Sequence, residues 1–217
     1  MVDYTEQKTF WENKKIRRSP THPAVRRFAE PKVEYIKKKV NGLKNKTVLD
    51  VGCGNGFFTI PFSKKAKEVT GLDFSKRMLE LNPHKKLVQA RVEKMPFKDN
   101  AFDVVFCSNL LHHVKNPILA VAEMKRISKR FVVLSEPNRN NPLMCLFSLI
   151  SKEERGALKF SPNYVKKLAE KNNMKIKACS VQGFVVPNKM PAVIADFIYK
   201  LEFENPFSFY SAIIAEK

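Results

Sequence analysis

The sequence predicts an α/β protein, a doubly wound, mostly parallel sheet of seven strands preceded by a helical segment. Three observations carry this. From Lys46 onward, short β-branched apolar runs alternate with segments of helical periodicity, the pattern of parallel strands joined by crossover helices. Three of only seven glycines fall together, as Gly52, Gly54 and Gly56, between the first such run and the helix after it. The composition, 44% hydrophobic and 28% charged over 217 residues, is that of one folded domain and excludes a disordered or fibrous chain.

In chain order, Tyr4 to Val40 reads as helical, with Phe10, Trp11 and Ile16 on one face. Ser19-Pro20 and His22-Pro23 interrupt it, a second helix runs from Ala24 or Pro31 to about Val40, and Asn41-Gly42 stops that helix. Thr47 to Val51 is a strand buried on both faces. Gly52 to Gly56 is a loop and Phe57 to Ala66 a helix. Glu68 to Asp73 is the second strand, after which Ser75 caps a helix ending near Leu81. Lys86 to Ala90 is a brief third strand, Phe102 to Cys107 a fourth, Pro117 to Ser128 a helix and Phe131 to Ser135 a fifth strand. A helix from Ser161-Pro162 to about Asn172 and a strand from Met174 to Gln182 follow. An apolar helix from Pro191 to Phe203 and a strand from Phe207 to Ala215 close the pattern, the last two strands as an antiparallel edge pair. The boundaries are an N-terminal helical segment over residues 1–45 and a main domain over 46–217, with an apolar helical insertion at about 187–205.

Charge is the unusual feature. Lys plus Arg is 40 and Asp plus Glu 21, a net +19. Such an excess attracts polyanions, but here it is spread along the chain with no long like-charged block, so nucleic acid is not the favoured partner. Cys53, Cys107, Cys145 and Cys179 form no C-x-x-C pair, and the four histidines show no metal-ligand spacing. Reduced thiols and the absence of a metal are therefore expected. The longest nearly uncharged apolar stretch, Pro142 to Ile150, is too short to cross a bilayer. Asp3 and Glu6 break any leading signal-like segment, and a cytoplasmic location is expected. Oligomeric state is not legible.

The chemistry concentrates at Asp50-Val51-Gly52-Cys53-Gly54-Asn55-Gly56. A glycine loop between a strand end and a helix is where an α/β sheet receives a nucleotide-like ligand. A dinucleotide fingerprint needs G-x-G-x-x-G, yet Phe57 stands at the third position; a phosphate loop needs Gly-Lys-Ser/Thr, yet Phe57-Phe58-Thr59 follows. Asp50 and the lack of a basic residue favour a cationic group, a sulfonium or ammonium. Asp73, at the end of the second strand, stands where a carboxylate accepts ribose hydroxyls. The plain alternative for Asp73 is a helix cap before Ser75.

The chain here resembles the class I S-adenosylmethionine-dependent methyltransferases, with their Rossmann-like sheet, and most of all the small-molecule, quinone-biosynthesis branch. Beside Val48 to Gly56, the resemblance rests on Gly71-Leu72-Asp73-Phe74-Ser75, on Glu93-Lys94-Met95-Pro96-Phe97 through Phe102-Asp103, and on Leu110-Leu111-His112-His113-Val114. It runs from about residue 46 to 136. It implies S-adenosyl-L-methionine as cofactor. Asp50, Gly52, Cys53, Gly54 and Gly56 would cradle its methionine part, Asp73 would hold the ribose, and Phe74 would pack on the adenine. Arg91, Val92, Glu93 and Ser108 would complete its surroundings. One departure stands out: the family usually has Asp-Ala where this chain has Arg91-Val92, so the adenine amino group must find a backbone group, Glu93 or a water, or Arg91 must stack on the ring. A second is Ser128-Lys129-Arg130 in place of the usual Pro-Gly-Gly turn.

His112 and His113 follow the fourth strand, on the edge that faces the transferable methyl group in related proteins, and are the candidates for proton transfer. Their plain alternative is a helix-start pair, one packed and one solvated. Asn109 joins Glu136, Asn138 and Arg139 as candidate substrate contacts, the last three against an alternative in which they only cap the next helix. The resemblance further implies that the N-terminal segment is a helical lid. The apolar blocks at Leu143 to Ile150 and Pro191 to Phe203 are core, or else the lining for a hydrophobic acceptor. The expected activity is methyl transfer to a small-molecule or lipid-like acceptor. The alternatives are an RNA or protein methyltransferase docking through its charge, and a cofactor-binding protein without catalysis.

Overall fold

The structure is a computed structural model that describes residues 4–13, 18–188, 190–200 and 205–217. Its seven-stranded sheet has the order β3-β2-β1-β4-β5-β7-β6. β1 (Thr47–Val51), β2 (Glu68–Asp73), β3 (Leu87–Gln89), β4 (Phe102–Ser108) and β5 (Ser128–Pro137) run parallel. β7 (Tyr210–Glu216) pairs antiparallel with both β5 and β6 (Lys175–Gln182). The expected antiparallel pair is present, but β7 is interior and only β6 is an edge. The chain order reverses between β1 and β4, so their carboxyl ends flank the crevice in which open α/β sheets bind ligands.

Alternate residues of the strands feed two apolar clusters. Leu49, Leu72, Val105, Val132 and Ile213 face α5 (Pro117–Ile127) and α7 (Pro162–Glu170). Val48, Val69, Phe106, Val133 and Ile214 face α2 (Pro23–Lys39) and α3 (Thr59–Ser63). Burial on both sides is why the strand sequences are apolar throughout instead of alternating.

α2 starts at Pro23, whose missing N–H costs nothing in a first turn, and ends before Asn41 and Gly42, both at positive φ (58° and 83°). Its Val25, Phe28, Ala29, Val33 and Ile36 are buried against the sheet. Phe28 meets the rings of Phe58 and Tyr210, so its truncation to alanine would cost about 3–5 kcal/mol. The packing therefore divides the N-terminal segment: α2 belongs to the core, while α1 (Tyr4–Glu12) lies over the sheet's carboxyl edge. There Glu12 accepts the backbone N–H of Lys76 (3.0 Å) at the start of α4 (Lys76–Glu80). Trp11 sits edge-on to the His113 ring at 5.6 Å. Ile16 lies outside the described residues, as does Phe203.

The helix expected from Phe57 to Ala66 is shorter, Thr59–Ser63, because Gly56 and the turn after it hold the chain out of helical geometry. Ser75 caps α4 as expected, accepting the N–H of Met78. Pro142–Ile150 forms α6, capped by Asn141, followed by a 3₁₀ segment at Lys152–Lys159. Part of the apolar insertion is α8 (Ala192–Lys200), which rests on α2.

Candidate active site

The glycine loop hangs from β2. Gly52 and Cys53 both donate their N–H to the Leu72 carbonyl, at 2.7 and 3.0 Å, and Gly54 donates to Asp73 Oδ2 at 2.8 Å. Gly52, Gly54 and Gly56 all take positive φ, 70°, 50° and 96°. Gly56 is the most demanding. A side chain there would be strained in φ, and its Cβ would stand 2.6 Å from Asn82 Oδ1. Asn82, buried after α4, donates to the Gly54 carbonyl at 3.0 Å and so fixes the loop from below. Sequence reasoning missed Asn82, because nothing local to it marks a partner nearly thirty positions away.

Asp50 and Asp73 bracket this loop. Asp50 is buried and accepts the Thr59 hydroxyl at 2.6 Å. Burial raises its pKa to about 7, the nearby Asp73 charge adds to the rise, and the Thr59 hydrogen bond opposes it. Asp73 uses its second oxygen, Oδ1, to accept the Ser75 N–H at 2.9 Å. The helix-cap alternative is thus realised together with the loop contact. Around the rest of the crevice the expected residues differ in what they present. Cys53 and Val92 are buried, Val92 in the apolar cluster under α5, so a ligand meets only their backbone. Arg91 is exposed and reaches Glu93 at 3.4 Å. Phe74 is half-buried, its carbonyl tied by Gln89 at 3.1 Å.

At the end of β4 the backbone turns sharply through Asn109, at φ 51°, into a 3₁₀ turn, Leu111–His113. That turn presents the N–H groups of Leu110 and Leu111 to Glu136 Oε1 at 3.0 and 2.9 Å. The other Glu136 oxygen stands 2.6 Å from His112 Nδ1. On its far side, His112 Nε2 stands 3.2 Å from Glu154 Oε2. Burial alone would lower the His112 pKa, but the two carboxylates override it and raise the value to about 9, so His112 is an imidazolium near neutrality. Glu154 comes from the 3₁₀ segment after α6, which approaches so closely that a Cβ on Gly156 would fall 1.8 Å from the His112 carbonyl oxygen. Neither Glu154 nor Gly156 carries any sequence signal.

These contacts correct several expectations. His112 and His113 are both buried, not one packed and one solvated. Glu136 lies inside β5, fully buried, and holds His112 instead of meeting a substrate. Asn138 is likewise buried, donating to the carbonyls of Pro206 and Ser208 at 2.9 Å each, so it ties the chain before β7. Arg139 is exposed and donates to the Leu158 carbonyl at 3.1 Å. A cavity of about 750 Å³ opens beside His112, with Phe10, Leu111, Phe160 and Tyr164 on its walls and Lys115, Lys152 and Lys159 among its polar groups. Among the described residues, its lining includes none of the glycine loop and nothing from α6 or α8, so the described parts of those apolar blocks do not build an acceptor pocket there.

Residues 49–133 match a family model described as a methyltransferase domain. Over this stretch the chain is similar to the S-adenosylmethionine-dependent methyltransferases. It is similar to a ubiquinone biosynthesis O-methyltransferase of Alkalilimnicola ehrlichii, 33% identical over 133 residues that cover 56% of this chain and 53% of the relative. It is similar also to a demethylmenaquinone methyltransferase of Staphylococcus aureus, 38% identical over 114 residues, 47% of each chain. The chain spans about half the length of the curated relatives it matches. Among solved structures, a magnesium protoporphyrin IX methyltransferase from Synechocystis with bound SAH superposes with a TM-score of 0.68 over 99% of this chain and 100% of that one, at 15% identity. A SAM-dependent methyltransferase from Archaeoglobus fulgidus superposes at 0.64, over 99% and 100%, at 19% identity. These two likenesses attest the fold.

The residues of this crevice fit S-adenosyl-L-methionine. Three glycines take positive φ in the cradle, Asp50 suits a cationic group and Asp73 suits ribose hydroxyls. Ser108 Oγ and Asn109 Oδ1 are buried at the end of β4 with no hydrogen-bond partner among the described residues, as for groups that await a polar ligand. Among the described residues, no helix is long and apolar enough to cross a membrane.

Proposed function

We infer that the protein transfers a methyl group from S-adenosyl-L-methionine to a small, quinone-like or lipid-like acceptor. The observation that carries this reading is the juxtaposition, along one sheet edge, of the anionic glycine cradle and a carboxylate-held histidine that opens onto a cavity large enough for an aromatic ring. The quinone-biosynthesis relatives support the acceptor class. When bound, the cofactor supplies a methyl group activated by its positive sulfur. The chain's part is to bind, orient and exclude water. Gly52 to Gly56 and Asp50 hold the amino-acid end, Asp73 the ribose, and Phe74 one face of the adenine, with backbone groups near Val92 and Glu93 at its edge. Ser108 and Asn109 orient the reacting groups. Glu136 accepts a hydrogen bond from Nδ1–H of His112 and keeps the proton on that nitrogen; once the imidazolium has lost its Nε2 proton to solvent, Nε2 receives a hydroxyl proton from the acceptor, and Glu154 yields its place there as the acceptor enters. α1 is the lid, closed over this edge through Trp11 and Glu12, and residues 46–217 with α2 form the catalytic body. The four free cysteines support a cytoplasmic, reducing setting.

The test uses methyl-labelled S-adenosylmethionine, the purified protein and an undermethylated extract, with products separated into lipid, small-molecule, RNA and protein fractions. Label in the lipid or small-molecule fraction, absent with Asp73→Asn, is the expected result. Label in RNA or protein would instead make the +19 charge the substrate-docking device and overturn the acceptor class.

A further inference from the structure

α6 is inside out. Its single fully buried residue is Ser148, whose hydroxyl donates to the Met144 carbonyl at 2.8 Å. Four of its large apolar side chains face outward instead, while Met144 and Phe147 are half-buried: Leu143 is 64% exposed, Leu146 53%, Leu149 55% and Ile150 74%. The spacing of 143, 146 and 150 puts them on one side of the helix, with 149 beside them. Phe207, 57% exposed, lies beside the helix start, where Asn141 donates to its carbonyl. A soluble surface helix shows the opposite pattern, so this face is built for an apolar environment.

We propose that α6 docks the protein peripherally on an anionic lipid surface. Charge decides between occupants. Exposed Arg139 precedes the helix, and exposed Lys152, Arg155 and Lys159 follow it, with Lys152 also reaching Glu6 at 3.0 Å. The carboxylates of this stretch, Glu153 and Glu154, are partly buried, Glu154 turned in against His112. An apolar ridge between cations is what an anionic bilayer interface receives. A second copy of a +19 chain would instead set these cations against their own kind. Nine residues of helix are too few to span a bilayer, so α6 lies in the interface plane. The 3₁₀ segment that follows α6 lines the cavity beside His112, so docking sets the cavity beside the lipid; that consequence, for entry of a lipid-like acceptor, rests on the function inferred above.

Sedimentation with phosphatidylcholine vesicles, with and without phosphatidylglycerol, tests the docking without cofactor or turnover, so it fails or succeeds independently of the methyl-transfer reading. The wild-type protein is expected to bind the anionic vesicles about tenfold or more tightly than the neutral ones, less at high salt. The double variants Leu146→Glu/Ile150→Glu and Leu146→Gln/Ile150→Gln are expected to stay in solution with unchanged melting. The Gln pair decides the matter where the Glu pair fails to fold. Absence of vesicle binding, or binding that both variants retain, would overturn the proposal. So would a wild-type dimer in light scattering that the variants convert to monomer, because a second copy would then cover the face.

Discussion

His112 Nδ1 stands 2.6 Å from Glu136 Oε2, with both side chains buried and the opposite ring nitrogen facing Glu154. The same Glu136 carboxylate receives two backbone N–H groups from the turn that carries His112. One buried residue of β5 therefore fixes the position of the histidine after β4 and, with Glu154, favours its charged form. Breaking such a buried pair from one side leaves an uncompensated charge, so Glu136→Ala is expected to cost about 3–5 kcal/mol in urea unfolding.

The raised His112 pKa links stability to pH. Its value is about 9 in the folded protein against 6.5 when unfolded, so the contribution is full below about pH 6.5 and is lost as pH rises through 9. Unfolding free energy should fall by about 3 kcal/mol across that window. In His112→Gln the slope over the same window should be much flatter, even though the variant starts less stable. Equal slopes would mean that another group carries the dependence.

The same shift predicts the rate profile. If Nε2 receives the acceptor proton, kcat/KM should rise with pH toward an apparent value near 9 and level off above it. Glu154→Gln, which removes one of the two charges holding the imidazolium, should move that value downward. A profile that Glu154→Gln leaves in place would exclude His112 as the proton acceptor.

Asp50 is expected to make cofactor binding a proton-release event. Its folded value of about 7 keeps much of the carboxyl protonated at and below neutrality, and a cationic ligand favours the ionised form. Affinity should therefore strengthen as pH rises through 7. Calorimetry in buffers of different ionisation enthalpy should show proton release that Asp50→Asn abolishes. Proton uptake, or no buffer dependence, would contradict the role given to Asp50.

Gly56→Ala tests the cradle. Its φ of 96° and the 2.6 Å approach to Asn82 Oδ1 combine strain with a clash. The expected destabilisation is about 1–3 kcal/mol, with loss of cofactor binding. Asn82→Ala in the same chain should relieve the clash but not the strained φ, so thermal melting should recover only in part.

The sheet was legible because its strands are buried on both faces and read as apolar runs between turn residues. Thr47 to Val51 and Glu68 to Asp73 lie where the pattern put them. The position of β7 between β5 and β6 was not, since pairing partners depend on contacts far apart in the chain. Within the site, Gly52, Gly54, Gly56, Asp50 and Asp73 announced themselves by spacing. Glu136 looked like a loop residue because the strand that holds it runs on to Pro137. Asn82, Glu154 and Gly156 reach the site only through tertiary approach, and no local pattern marks them.

Titration calorimetry of S-adenosylhomocysteine into the purified protein and into Asp73→Asn tests the central claim most directly. The account predicts one saturable site in the wild type and a loss of at least about tenfold in affinity in the variant, with melting showing both folded. Absence of binding to the wild type, or equal affinity in the two proteins, would contradict it.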